Sequence, residues 1–298
     1  MNRKNMGGHI MKRILAMVLV IVLVISVGCA SVFAAHEGEK RAVIAADLDE
    51  DEIDQIYKDF GIERGSVTEL RVTNADEREY LEGLVADEKI GNVALSCVYI
   101  ETLEEGDGLQ MSIMNIKWCT EEMYLNALTT AGVSDAVVKI SAPHPVTGTA
   151  ALTGIYKAYE DITGEDLNEE AKIAAAEELI VTGQLADLIG SEEATQIINE
   201  LKKILDETQN MTDDEVREEI RKIADDYNVE ISESQIDQLL KLVRSLEGLD
   251  VEQLKEKITG FANTLEKAGK VSDTMTKVGE KIGGFFRSVG NFFKNLFS

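Results

Sequence analysis

The sequence holds no CxxC pair, no HExxH helix, no GxSxG elbow and no Walker phosphate loop. The common zinc, serine-nucleophile and nucleotide chemistries therefore have no motif to start from. Histidine is scarce: of three, only His36 and His144 lie beyond the leading apolar run. His144 stands between Pro143 and Pro145, the only two prolines, where an extended turn residue is expected. A Cys–His nucleophile would need Cys97 or Cys119 with His144, and nothing in the local pattern joins them. Asp47, Asp49 and Asp51 begin like an EF-hand loop, but Glu52 replaces its glycine and Lys58 its final glutamate. No metal ligand and no cofactor is expected. Aromatics make up only 5% of the chain, and positive charge is outweighed by a formal net charge of −25. Such an acidic body repels phosphate backbones, so no nucleic-acid partner is expected. The 55 acidic residues leave no spacing by which a catalytic carboxylate pair can be picked out, and catalytic residues stay unassigned.

The charge that is present is unevenly spread. Residues 1–35 carry four positive charges and no negative one, 36–150 are net −15, 151–266 net −18, and 267–298 net +4. Arg3, Lys4, Lys12 and Arg13 precede an apolar run from Ile14 to Val27. Small residues follow, with Val32-Phe33-Ala34 placing a cleavage between Ala34 and Ala35. Residues 1–35 thus read as a secretory signal peptide, and the protein is expected outside the cytoplasm, secreted or held at the cell envelope. Two variants share the export step. Gly28-Cys29 can end a lipobox, giving a lipidated Cys29, or the stretch from Ile14 to Ala35 can stay uncut as a membrane anchor.

Residues 40–146 alternate between strand and helix patterns, giving an α/β (α+β) domain with a mixed sheet covered by helices on one face. Ala42–Ala46 and Val67–Val72 read as strands around a helix bearing Ile53, Ile56, Tyr57 and Phe60 and stopped by Gly61. Asn74 with Glu77 looks like a capping box, and Thr120 like the cap of a helix ended by Gly132. Val93–Leu103 and Leu109–Trp118 flank a Gly-containing loop and read as a hairpin. Its register would put Cys97 opposite about residue 115, so two buried thiols are expected ahead of a Cys97–Cys119 disulfide. Ala136–Ile140 is a further strand. From 147 to 265 the pattern is wholly helical: Thr147 opens one helix, and Asn168, Ser191, Thr212, Ser232 and Asp250 look like N-caps. Glu215, Gln235 and Gln253 complete boxes with the last three. Thr147-Gly148-Thr149 could seat a small anion, though a plain cap is the simpler expectation.

Residues 266–298 form a basic, Phe-rich tail, with five of the eight phenylalanines in the last 14 positions. On a helical wheel Ile282, Phe285, Phe286, Val289, Phe292, Phe293, Leu296 and Phe297 share one broad face, with Lys281, Arg287 and Lys294 opposite. That pattern suits a helix lying in a membrane interface, and it is too short and too charged to span. Docking on the acidic body, a protein partner or self-association through the Phe face are the alternatives.

Four segments carry a family resemblance: TNADEREYLEGLV (73–85), EKIGNVALSCVYIE (88–101), WCTEEMYLNALTTAGV (118–133) and above all HPVTGTAALTGIYKAYE (144–160). Together they resemble the YpuA-like family, exported proteins of Bacillota classed as a domain of unknown function. The resemblance covers roughly 40–210, continues more weakly to about 250 and leaves the tail aside. It implies export and no particular catalytic residue. The expectation is an exported cell-envelope protein acting as a non-catalytic binding or membrane-associated module, with a carboxylate-using envelope hydrolase as the alternative.

Overall fold

The structure, a computed structural model, describes residues 37–84 and 87–258. The cleavage site at Ala34 and Ala35, Cys29, and the expected membrane-contact residues of the tail lie outside the described residues.

Five strands form one mixed sheet: β1 (Lys40–Ala45), β2 (Thr68–Val72), β3 (Cys97–Thr102), β4 (Leu109–Ile116) and β5 (Ala136–Val146), in the order β2-β1-β3-β5-β4. β1 and β2 are parallel around helix α1 (Glu50–Phe60), with Val43 beside Leu70. β4 and β5 are parallel around α4 (Glu121–Ala131), with Ile113 beside Ile140. β3 joins the two β-α-β units by pairing antiparallel with β1 and with β5. The expected β3–β4 hairpin does not form. Cys97, Val98, Tyr99 and Ile100 are all buried, the burial of a central strand with a neighbour on each side and a layer on each face. β5 takes the place a hairpin would give to β4. Asp135, at φ +49, holds the connecting loop, its carboxylate accepting from the Gly106 and Gly108 amides at 2.9 and 2.8 Å. β5 itself runs on through Pro143 and Pro145 as extended chain.

Helices cover both faces of the sheet rather than one. Tyr99 and Lys139, register partners on one face, meet α1: the Lys139 ammonium donates to the Phe60 carbonyl at 2.6 Å, and the Phe60 and Tyr99 rings lie 6.1 Å apart. Val43 and Val98, partners on the other face, pack against α5 (Ala150–Thr163). Gly154 lets α5 approach closely, since a Cβ there would lie 3.3 Å from Val98 and 3.5 Å from Val43.

The helical region continues with α6 (Glu169–Ile189), α7 (Ser191–Lys203), the short α8 (Leu205–Thr208), α9 (Asp213–Asp226), α10 (Glu233–Glu247) and a helical stretch over 251–258. The core does not break at the two prolines: Leu152, Ile155 and Tyr156 of α5 and Leu179 and Ile180 of α6 are buried with the sheet residues. α6 presents Ala174, Val181 and Leu185 to a second core with Ile197, Leu201, Val216, Ile220, Leu239 and Val243. One helix therefore serves two cores. At their junction Lys202 of α7, 1% exposed, donates to Glu178 of α6, 0% exposed, at 2.8 and 3.1 Å, and to the Thr130 hydroxyl of α4 at 2.9 Å.

Most local stop and start signals act as expected. Thr120, Asn168, Thr212 with Glu215, and Ser232 with Gln235 cap their helices, and Gly61 and Gly132 end theirs in the left-handed region. Three differ. The capping box of α2 (Asn74–Leu81) is Thr73 with Asp76, one residue ahead of the expected Asn74 and Glu77. α7 starts at Ser191 after Gly190 with no side-chain cap, and α5 starts at Ala150 rather than Thr147. Asp250 accepts from the Gln253 amide at 3.0 Å, while the Gln253 side chain turns to the Asp250 carboxylate at 2.8 Å.

Candidate functional site

The one-residue offset in the α2 capping box decides where Glu77 points. With Thr73 extended (φ −109°, ψ 163°) and Asp76 closing the box, the Thr73 and Asp76 amides have their acceptors without Glu77. Glu77 turns inward and is 1% exposed. Its Oε1 accepts from the Thr149 hydroxyl at 2.5 Å, and its Oε2 lies 3.5 Å from the Asn74 amide nitrogen. Arg78, next in the chain, is turned elsewhere, to Asn74 Oδ1 at 3.1 Å, Asp87 at 3.0 Å and the Gly91 carbonyl at 2.8 Å. Burial pushes the Glu77 carboxyl up to about 7, against the opposing pull of Thr149, Asn74 and the Arg78 charge.

Thr149 is held by the turn that starts α5. Gly148 has φ +99, and a Cβ there would lie 2.5 Å from both Ile116 Cγ2 and the Tyr124 hydroxyl, so glycine is required on two counts. The Tyr124 hydroxyl donates to the Gly148 carbonyl at 2.5 Å. Burial, with Cys119 and Glu77 nearby, pushes the Tyr124 phenol well above its usual range. A continuous buried polar chain thus runs from Cys119 through Tyr124, Gly148 and Thr149 to Glu77, linking the approach to α4 with the starts of α5 and α2. At Thr147-Gly148-Thr149, the group that meets the Thr149 hydroxyl is the chain's own Glu77 carboxyl.

Cys97 and Cys119 are both buried thiols with no disulfide between them. Cys97 accepts from the Ala45 amide at 3.2 Å, and burial pushes its thiol up to about 12. His144 is exposed near the end of β5. Asp49 is the N-cap of α1, boxed with Glu52, which makes the Asp47–Asp51 run a helix start. Among the described residues no group of three or more His, Cys, Asp or Glu could hold a metal ion, and no helix is long and apolar enough to cross a membrane. A depression of about 480 Å³ between α9 and α10 is lined by Asp214, Glu215, Arg217, Glu218, Arg221 and Glu233. Its charges largely pair with one another: Arg221 bridges Glu218 at 2.7 Å and Glu233 at 2.8 Å.

Sequence reasoning missed Glu77 as a buried acid, having paired it with Asn74 in a capping box. The available signal was that the two segments carrying much of the resemblance, 73–85 and 144–160, meet at the Glu77–Thr149 bond. Glu178 and Lys202 were missed as well. Over residues 44–267 the chain matches the family described as "Protein of unknown function (DUF1002)". It is 34% identical over 300 residues to "Uncharacterized protein YpuA" of Bacillus subtilis (strain 168), with 96% of this chain and 100% of that protein covered. No solved structure matches it. The match extends past the segments that first suggested the relationship, and the chain belongs to the DUF1002 family.

Proposed function

We propose that this protein is an exported, envelope-associated, non-catalytic module whose basic, Phe-rich tail rests on a membrane surface. The carrying observation is the segregation of charge and phenylalanine along the chain. The body is acidic throughout, whereas 267–298 is net positive and holds five of the eight phenylalanines. Anionic headgroups attract the tail and repel the body, which orients the molecule with its folded part away from the bilayer. Export follows from the basic, apolar and small-residue sequence of 1–35. The hydrolase alternative is less well supported. Its strongest candidate acid, Glu77, is closed off from solvent against a hydroxyl and an amide.

Sedimentation with anionic liposomes tests the membrane role. The full chain should pellet with the vesicles, and a chain lacking Gly279–Ser298 should stay in the supernatant. Equal sedimentation of the two would reject it. Intact-mass measurement on protein from producing cells tests export, separating a chain starting at Ala35 from lipidation at Cys29 and from retention of the whole segment.

A further inference from the structure

α2 has eight residues, too few to persist as a helix in water without its contacts. Those contacts combine an ion pair with apolar packing. Lys157 of α5 bridges Asp76 at 2.7 Å, Tyr80 sets its ring edge-on to Tyr156 at 5.7 Å, and Leu81 is buried. The inward-facing member is Glu77, and its surroundings can be named element by element. α5 offers the Thr149 hydroxyl, while its Lys157 is engaged by Asp76. α4 offers Tyr124, with Cys119 just before it. On α6, Lys172 lies over the Tyr80 ring and bridges Glu160 and Glu169. On α3 (Asp87–Ile90), Asp87 holds Arg78. Among the described residues no cation forms an ion pair with Glu77. The start of α5 and the Arg78 charge offset part of the cost of a negative charge, but a carboxylate 1% exposed with no ion-pair partner among the described residues is accommodated far better as the neutral acid.

We propose that α2 and the turn after it, residues 74–84, form a proton-operated flap over the start of α5, seated while Glu77 is protonated and loosened when it ionises. Protonated Glu77 still accepts from Thr149, so seating loses no hydrogen bond. Ionised, it carries an unpaired buried charge that opening returns to water. The carboxyl is raised from its ordinary 4.5 to about 7, so the closed form keeps its proton to higher pH than the open form. Closing is therefore fully favoured below about 4.5, weakens as pH rises, and reaches its floor above about 7.

Hydrogen exchange followed by mass spectrometry on the full chain at pH 6 and pH 8, corrected for the intrinsic rate, tests this. Protection of amides in 74–84 should fall about 10-fold between the two pH values, relative to α9 as internal reference. In Glu77→Gln, which keeps an acceptor for Thr149 and cannot ionise, the two values should agree. A 10-fold fall that persists in Glu77→Gln would overturn the proposal, as would protection in the wild-type protein that tracks α9 at both pH values. The wild-type comparison with α9 stands even if the variant folds poorly.

Discussion

Replacing Lys202 with methionine should cost more than the loss of an ordinary surface charge, and the structure sets the size. Lys202 and Glu178 are 1% and 0% exposed, and the ammonium is 2.8 Å from one carboxylate oxygen and 3.1 Å from the other. The Thr130 hydroxyl completes the cluster, donating to Glu178 at 2.5 Å and accepting from Lys202 at 2.9 Å. Lys202→Met removes the cation and leaves a buried carboxylate with one hydroxyl partner, a loss of about 3–5 kcal/mol. Against a typical total of about 5–15 kcal/mol, that loss is large. The triple variant Thr130→Val, Glu178→Leu, Lys202→Met replaces the whole cluster with apolar groups and should recover to within about 2 kcal/mol of wild type. Urea unfolding followed by circular dichroism and by fluorescence of Trp118, the only tryptophan, reads both cores. Since the cluster joins α4, α6 and α7, both signals should shift together. A single-variant loss below about 1 kcal/mol, or a triple variant as unstable as the single, would refute the reasoning.

Four further outcomes follow from the geometry. Glu77→Gln should stabilise the protein at pH 8 by roughly 3 kcal/mol and leave it unchanged near pH 4, because the wild-type carboxyl must give up a proton between those limits at a raised pKa; equal effects at both pH values in thermal melts would contradict it. Gly148→Ala should lose about 2 kcal/mol or more, since φ is +99 and the new methyl meets Ile116 and Tyr124 at 2.5 Å; chemical denaturation measures it. Gly183→Ala, usually worth about 1 kcal/mol of helix stability, should instead destabilise and shift Trp118 emission, because its Cβ would lie 2.5 Å from the Trp118 ring. In a chain starting at Ala35, Cys97 and Cys119 should resist a thiol reagent until urea unfolds the protein, given their burial; prompt labelling in buffer would show the thiols to be accessible.

The parts of this fold that could be read from the sequence are those whose physics is local. Thr212 and Glu215, or Ser232 and Gln235, sit three residues apart and satisfy each other's backbone, so the pattern alone suffices. Strand order is not local. The hairpin was the nearest pairing for β3, yet its continuous burial needed partners on both sides, and the second was β5. Glu77 shows how little separates the two regimes. Thr73-Asn74 followed by Asp76-Glu77 offers two capping boxes one residue apart, and choosing the second turns a buried acid into a surface one. Glu178 and Lys202 are 24 positions apart, with no periodicity to connect them. Their packing is a property of three helices and invisible in any one.

The placement of β5 between β3 and β4 also constrains the order of assembly. Synthesis delivers the amino end first, so a nascent chain reaching Gly132 already contains both strands but not the one that bridges them. Until Ala136 and the residues after it arrive, one side of β3 lacks its native neighbour and β4, an edge strand, lacks the only one it has. Premature pairing of the two would be a register trap, undone only by strand exchange. The sheet therefore cannot close before the β4-α4-β5 unit is complete, and a protein cut short before that point should accumulate as aggregate rather than as a smaller folded sheet.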